Sequence, residues 1–299
     1  MKIGVILIIE GNEERGIPRY AGTRAMAQQA EAAGFDSLWL YDHFLFRGDG
    51  APKGQWECFT FMTALAEATN RVELGSLVAC TAFRNPAVLA SMAATLDEVS
   101  GGRVILGLGA GWNETEFRAF GLPYDHRVDR FEEALQIIVP LLREGRVDFR
   151  GRYHEAPDCE LVLRGPSPNG PPIMIGASGP RMLRLAARYA DVINTGYPPD
   201  DHAEQRAALD AACAEAGRDP ATLPVTVPVW IAFPDLGRIP DHMKESTQPS
   251  AEAVADLFRA YDRAGVAHIM VDLQPNTPAS LARLAEALSL YHDTNTQDS

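Results

Sequence analysis

Residues 172–194 read PIMIGASGPRMLRLAARYADVIN. Pro172–Ala177 is a short apolar run ending in small residues. Pro180–Tyr189 then places apolar side chains at helical spacing, and Asp191–Asn194 is a second short run rich in β-branched residues. Strand, helix and strand within 23 residues make one parallel β–α–β unit, because two parallel neighbours need a crossover and a helix is the compact one. The same alternation continues in both directions. Candidate strands are Lys2–Ile9, Asp36–Tyr41, Val72–Ala79, Arg103–Gly109, Pro172–Ala177, Asp191–Asn194, Pro224–Ala232 and Ala267–Leu273. Candidate helices are Pro18–Ala33, Trp56–Thr69, Ala87–Glu98, Arg127–Arg143, Pro180–Tyr189, His202–Ala216, Ser250–Ala264 and Pro278–Tyr291. Eight such units predict an α/β fold of the (β/α)8 TIM-barrel type rather than an open doubly wound sheet.

Barrels of this kind use about 250 residues in one domain, so residues 1–299 are read as a single domain. Two stretches break the even spacing. Residues 145–170 form an insertion after the fourth helix, with a hairpin expected around Arg150–Gly151. Residues 234–249 read as a long loop after the seventh strand, a candidate lid, since barrel active sites lie at the C-terminal strand ends. The polar tail His292–Ser299 is expected to fray.

Composition narrows the function. A net charge of −13 opposes binding to phosphate backbones, so nucleic acid is not an expected partner. No run approaches the ~20 apolar residues of a membrane span, so no membrane partner is expected either. MKIGVILIIE reads as a first strand rather than a signal peptide, with the cytoplasm as the expected location. Cys58, Cys80, Cys159 and Cys213 are far apart and form no C-x-x-C pair, and the histidines show no H-E-x-x-H spacing, so no metal is expected.

The residues that close the strands are the candidates for chemistry: Glu10 and Gly11, Asp42 and His43, Val78 through Thr81, Gly109 through Asn113, Ala177 through Gly179, Asn194 and Thr195, Trp230 and Asp272. Most are small or polar, leaving room for a planar ring close to the backbone. His43 can act as acid or base near neutral pH, or serve only as a structural hydrogen-bond partner. Trp112 walls a pocket or seals the rim. Ser178, read as N-cap with Pro180 in the first turn, opens a helix whose free N–H groups suit a phosphate; capping alone is the plainer use. Gly107–Gly111 lacks the third glycine of a dinucleotide fingerprint and the acidic residue that should follow.

Several segments together resemble the bacterial luciferase-like monooxygenase superfamily, especially its branch of coenzyme F420-dependent oxidoreductases. They are GFDSLWLYDH at Gly34–His43, FRNPAVLA at Phe83–Ala90, LDEVSGGR at Leu96–Arg103, GLGAGWNETEF at Gly107–Phe117, RFEEA at Arg130–Ala134 and PIMIGASGP at Pro172–Pro180. The resemblance implies a barrel with an insertion, a homodimer, and a non-prolyl cis peptide at Leu77–Val78 backing a tricyclic ring. It also implies that Asp42, His43 and Cys80 border the ring, that Gly109, Ala110 and Asn113 line its other side, and that Ala177, Ser178 and Gly179 bind the phosphate. Asn194 and Thr195 join the cofactor group, and Glu10, Trp112 and Trp230 the substrate pocket. Sugar-phosphate dehydrogenases of this branch are expected to carry a carboxylate at Ala110 and an aromatic at Arg47, so their substrate does not transfer. The expected activity is hydride transfer between F420 and a small organic molecule, with His43 handling the proton. The alternatives are an FMN-dependent monooxygenase using oxygen, served by a separate flavin or F420 reductase, and a cofactor-binding protein without turnover.

Overall fold

The computed structural model describes residues 1–13, 16–48, 51–196, 202–248 and 250–295. Eight parallel strands close into a barrel: β1 (Lys2–Ile6), β2 (Ser37–Leu40), β3 (Glu73–Ser76), β4 (Val104–Gly109), β5 (Ile173–Gly176), β6 (Val192–Asn194), β7 (Val225–Ala232) and β8 (His268–Gln274). Each strand pairs with its sequence neighbours, β8 returns to β1 through Lys2 opposite His268, and β4 joins β5 through Leu106 opposite Ile173. The (β/α)8 expectation therefore holds.

Two cores stabilise it. Outward-facing strand residues such as Ile3, Val5, Leu38 and Val227 pack on the surrounding helices, while Ile6, Trp39, Leu77, Ile105, Met174 and Met270 fill the lumen. Trp39 is fully buried there, its indole N–H donating to Ser37 Oγ (2.7 Å), which in turn meets His268 Nε2 at 2.7 Å. Burial pushes the His268 imidazole down to about 3, so it is neutral. Glycines at positions 4 and 75 leave the room that the indole occupies.

Local chemistry sets the ends of the elements. Helix Pro86–Ser100 begins at Asn85, whose side chain accepts from Ala87 N and Val88 N, and ends at Gly101 with φ +67°. The second helix starts at Cys58 rather than Trp56, because the Glu57 carboxylate caps Phe59 N and Thr60 N. The insertion holds the expected hairpin, Arg146–Arg150 against Glu155–Glu160.

The structure departs from the sequence reading in further places. Strand one stops at Ile6, and Glu10–Gly11 instead joins a small antiparallel sheet with Leu45–Phe46 and Lys53–Gln55. Strand three breaks after Ser76 and resumes at Ala79–Cys80 on the far side of a cis Leu77–Val78 peptide, the bond that the resemblance implied. The last helix runs Pro278–Asn295, beyond the expected end at Tyr291, whose hydroxyl donates to Asp262 Oδ2 (2.7 Å), and residues 296–299 of the expected tail lie outside the described residues. Residues 234–248 are not featureless, since 3-10 turns at Pro234–Leu236 and Asp241–Ser246 fold back and Thr247 bridges to Ala232. Among the described residues no helix is long and apolar enough to cross a membrane.

Candidate active site

A cavity of about 1360 Å³ opens at the C-terminal end of the barrel. Its wall is reached by β1 through Ile8 and Glu10, β2 through Tyr41–His43, β3 through Leu77, Val78 and Cys80, and β4 through Gly109–Trp112. The β5, β6 and β8 ends add Gly176–Ser178, Asn194–Gly196, Asp272 and Gln274. Cavities for single small ligands run to roughly 1,000 Å³, so this volume suits a cofactor and a substrate together.

The bulge after β3 forms the floor. Val78 lies across two glycines: a Cβ added at Gly109 would stand 2.6 Å from Val78 Cγ2, and one at Gly176 3.1 Å from it. Asp42 does not face the cavity as a free carboxylate. Its Oδ2 accepts from Cys80 N (3.0 Å) and Arg84 Nη1 (2.7 Å), and its Oδ1 accepts from Arg84 Nη2 (2.9 Å). Arg84 also reaches Glu57 at the next helix start, and these two carboxylates hold the guanidinium charged against its burial. Asp42 thus fastens the bulge to the framework. Burial pushes the Cys80 thiol up to about 12, which keeps it protonated.

His43 lines the same cavity beside a buried carboxylate. Its Nδ1 lies 2.9 Å from Glu116 Oε2, and Glu116 is fully buried. Burial alone would raise the Glu116 carboxyl; hydrogen bonds from His43, Phe44 N and Leu45 N outweigh it and hold the group below the usual range. An ionised carboxylate only accepts, so Nδ1 carries a hydrogen and Nε2 becomes the lone-pair atom of the neutral ring. Trp112 meets the His43 ring edge-on at 5.5 Å, Phe46 lies tilted 4.5 Å from the same ring, and Trp112 itself is 64% exposed at the rim.

Opposite, the Tyr41 hydroxyl donates to Asp272 Oδ2 (2.9 Å) and Gln274 Nε2 to Asp272 Oδ1 (3.3 Å). Burial and the adjacent Asp272 raise the Tyr41 phenol well above its ordinary value, so it remains a donor. Glu10 pairs with Lys53 from the small sheet. On the β6 side, Asn194 Nδ2 donates to Thr226 Oγ1 (3.0 Å), while Thr195 Oγ1 is buried with no hydrogen-bond partner among the described residues.

A family model described as luciferase-like monooxygenase matches residues 1–235. The chain belongs to the luciferase-like monooxygenase family. This luciferase-like chain is 35% identical over 191 residues to a 5,10-methylenetetrahydromethanopterin reductase from Archaeoglobus fulgidus, covering 63% of this chain and 53% of the relative. It is 31% identical over 242 residues to the pyrimidine monooxygenase RutA of Stutzerimonas stutzeri, covering 73% of this chain and 65% of that protein. The matches therefore span only about half to two thirds of these relatives' lengths. A solved F420-dependent secondary alcohol dehydrogenase in complex with an F420–acetone adduct superposes with a TM-score of 0.81, covering 97% of this chain and 98% of that one at 23% identity. That likeness shows the shared fold.

The luciferase-like barrel brings most residues expected from sequence to one cavity: Glu10, Asp42, His43, Leu77, Val78, Cys80, Gly109, Ala110, Trp112, Ala177, Ser178, Asn194 and Thr195 line it. Asn113 and Gly179 do not line it; Asn113 Nδ2 ties the Leu45 carbonyl (3.0 Å). Trp230 stands beside Asp272 in register, half-exposed, next to Tyr41 rather than on the cavity wall. Ser178 is not the helix N-cap. Gly179 takes that position with φ +80° and no side-chain cap, because Pro180 confines the preceding residue to extended ψ and the chain turns there on a glycine. Sequence reasoning missed Glu116, Lys53 and Arg84. For Glu116 the only signal was the acidic pair Glu114 and Glu116 opening a short helix, Glu114–Ala119.

Proposed function

We propose that this chain is a coenzyme F420-dependent oxidoreductase that exchanges hydride with a small organic substrate. The observation that carries the proposal is the His43–Glu116 pair set beside a glycine-floored cavity of cofactor-plus-substrate size. The sequence similarity to an F420-dependent glucose-6-phosphate dehydrogenase, 38% identical over 170 residues, and the likeness to the F420-dependent alcohol dehydrogenase above support the choice of cofactor.

The residues present fit such a cofactor. The Val78 bulge against Gly109 and Gly176 offers a flat backing, with Leu77, Cys80 and Ala110 beside it. The buried Thr195 Oγ1 needs a partner, since an unpaired buried hydroxyl costs about 1–3 kcal/mol, and a ligand in the cavity would supply one. Ala177 and Ser178, with Asn194 and Thr195, would hold the phosphate, Gly179 would shape the turn that presents them, and Asn113 would brace the β4 loop. When bound, F420 supplies a two-electron hydride carrier at its deazaflavin C5. His43 Nε2 takes the proton from a substrate hydroxyl during oxidation or returns it during reduction, and Glu116 stabilises the imidazolium formed. Glu10 and Trp112 bound the substrate side, while Trp230, off the cavity wall, would act only through its neighbour Tyr41.

The similarity to RutA favours a second reading, an FMN-dependent monooxygenase using oxygen and supplied by a separate reductase. A single domain over residues 1–299, assembled as a homodimer in the cytoplasm, completes the proposal. The test is anaerobic incubation of the protein with oxidised F420 and a panel of alcohols, and with reduced F420 and a panel of ketones and enones. Change in deazaflavin absorbance with at least one pair is the expected result. Oxygen consumption with reduced FMN, and none of the F420 reactions, would replace this reading by the second.

A further inference from the structure

Charge is divided unevenly around the cavity, in a chain whose net charge is −13. Four of the five carboxylates on the wall or at its rim are ion-paired: Glu10 with Lys53, Asp42 with Arg84, Glu116 with His43 and Asp241 with Lys244. The fifth, Asp272, accepts from Tyr41 and Gln274. Two guanidinium groups on the same wall, Arg127 and Arg238, pair with no carboxylate among the described residues.

Arg127 is held from two sides. Its Nη1 donates to the Gly111 carbonyl, and its guanidinium carbon lies 4.4 Å from the Tyr124 ring centroid. Carbonyl and ring together fix the plane of a group with five donors, of which one is engaged, so little rotamer freedom is left to lose on binding. Arg238 follows Gly237 on the segment after β7. The loops from β4 to β7 thus present Arg127, Ser178, Thr195 and Arg238 in succession, while those of β8, β1 and β2 present Asp272, the Glu10–Lys53 pair and the His43–Glu116 pair. The cavity is basic on one half and neutral to acidic on the other.

We infer that the basic half is a subsite for the anionic tail of the cofactor, with Arg127 and Arg238 binding its phosphodiester and carboxylate oxygens. The inference rests on the F420 reading. Arg127 is partly buried, where an uncompensated cation attracts an anion more strongly than in open solvent because low polarisability around it weakens screening, and Arg238 stands exposed at the rim of the same wall. The opposite half would repel such a tail and leaves its space to the substrate.

Fluorescence titration of the whole protein with F420 and with its neutral deazaflavin core, which lacks phosphate and glutamates, reads the subsite directly. Arg127→Met and Arg238→Met are each expected to weaken F420 about tenfold, the loss of one charge-assisted contact, and to leave the core's affinity unchanged. Affinity for F420, but not for the core, should fall as salt rises. Equal loss for both ligands, or F420 affinities within about twofold of wild type, would overturn the inference. Arg238→Met keeps the test open if loss of the Gly111 contact unfolds the Arg127 variant. Wild-type protein that binds the core yet gains nothing from the tail would overturn the subsite alone; binding neither would overturn the cofactor reading beneath it as well.

Discussion

Glu116→Gln is the most informative single change, because the two oxygens of Glu116 have different duties. Oε1 accepts from Phe44 N and from Leu45 N (3.0 Å), while Oε2 accepts from His43 Nδ1 (2.9 Å). A glutamine must keep its carbonyl where the two backbone donors converge. Its NH2 then stands where Oε2 stood, pointing a donor at Nδ1. Had His43 kept its hydrogen on Nδ1, two donors would face each other in a buried site, at a cost of about 1–3 kcal/mol. That cost shifts the ring to the Nε2–H form by a factor of roughly 5 to 150. The substitution keeps size and backbone contacts and reverses the tautomer. Two-dimensional 15N NMR of histidine-labelled protein should show Nδ1–H at His43 in the wild type and Nε2–H in the variant. Hydride transfer in a single turnover, with cofactor saturating, should fall about 10²-fold or more, the scale of acid–base catalysis. An unchanged tautomer together with a wild-type rate would refute the assignment of His43 as proton carrier and of Glu116 as the group that orients it.

Other outcomes follow from the same structure. Gly75→Ala places a methyl group into the Trp39 ring and should lower stability by about 1–3 kcal/mol, the usual range for overpacking, read from the midpoint of thermal or urea unfolding. Arg84→Met leaves the buried Asp42 carboxylate unpaired and should cost about 3–5 kcal/mol, with cofactor affinity lost in the folded fraction; an unchanged melting temperature would detach Asp42 from the framework role given above. Ser178→Ala, which removes no cap, should weaken cofactor binding by only about fivefold, for one hydroxyl contact of ~1 kcal/mol, whereas Gly179→Val forces a β-branched residue to φ +80° and should do more. Acid stability should reflect His268. Its folded value of about 3 lies below the ordinary 6.5, so the unfolded chain takes up the proton first, and stability present above pH 6.5 drains away as pH falls toward 3. His268→Gln should flatten that slope, and a slope equal to wild type would place the acid sensitivity elsewhere.

The fold was legible because its signal is local and repeated. Each strand is a short apolar run, each crossover a helical one, and units such as Pro172–Asn194 can be read in isolation. Residues at strand ends were legible for the same reason: once the barrel is assumed, His43, Gly109, Ser178 and Thr195 must face one mouth. What stayed hidden depends on contacts distant in sequence. Glu116 meets His43 across 73 positions, and nothing in a six-residue helix announces a proton partner. Arg84 lies inside a recognised segment, yet its bidentate hold on Asp42 is a matter of packing, so Asp42 looked like a group open to the ring. The small sheet that delivers Lys53 to Glu10 has strands of two and three residues, too short to carry periodicity. The Ser178 cap failed on a competing rule: proline at the first helical position holds the residue before it at extended ψ, so the cap falls on Gly179, which accepts the positive φ.

The central claim is that this cavity is built for a deazaflavin. Equilibrium titration of the purified protein with F420 and with FMN, side by side and at matched ionic strength, tests it most directly. Tighter binding of F420 than of FMN is the expected result, and strong FMN binding with none for F420 would contradict it.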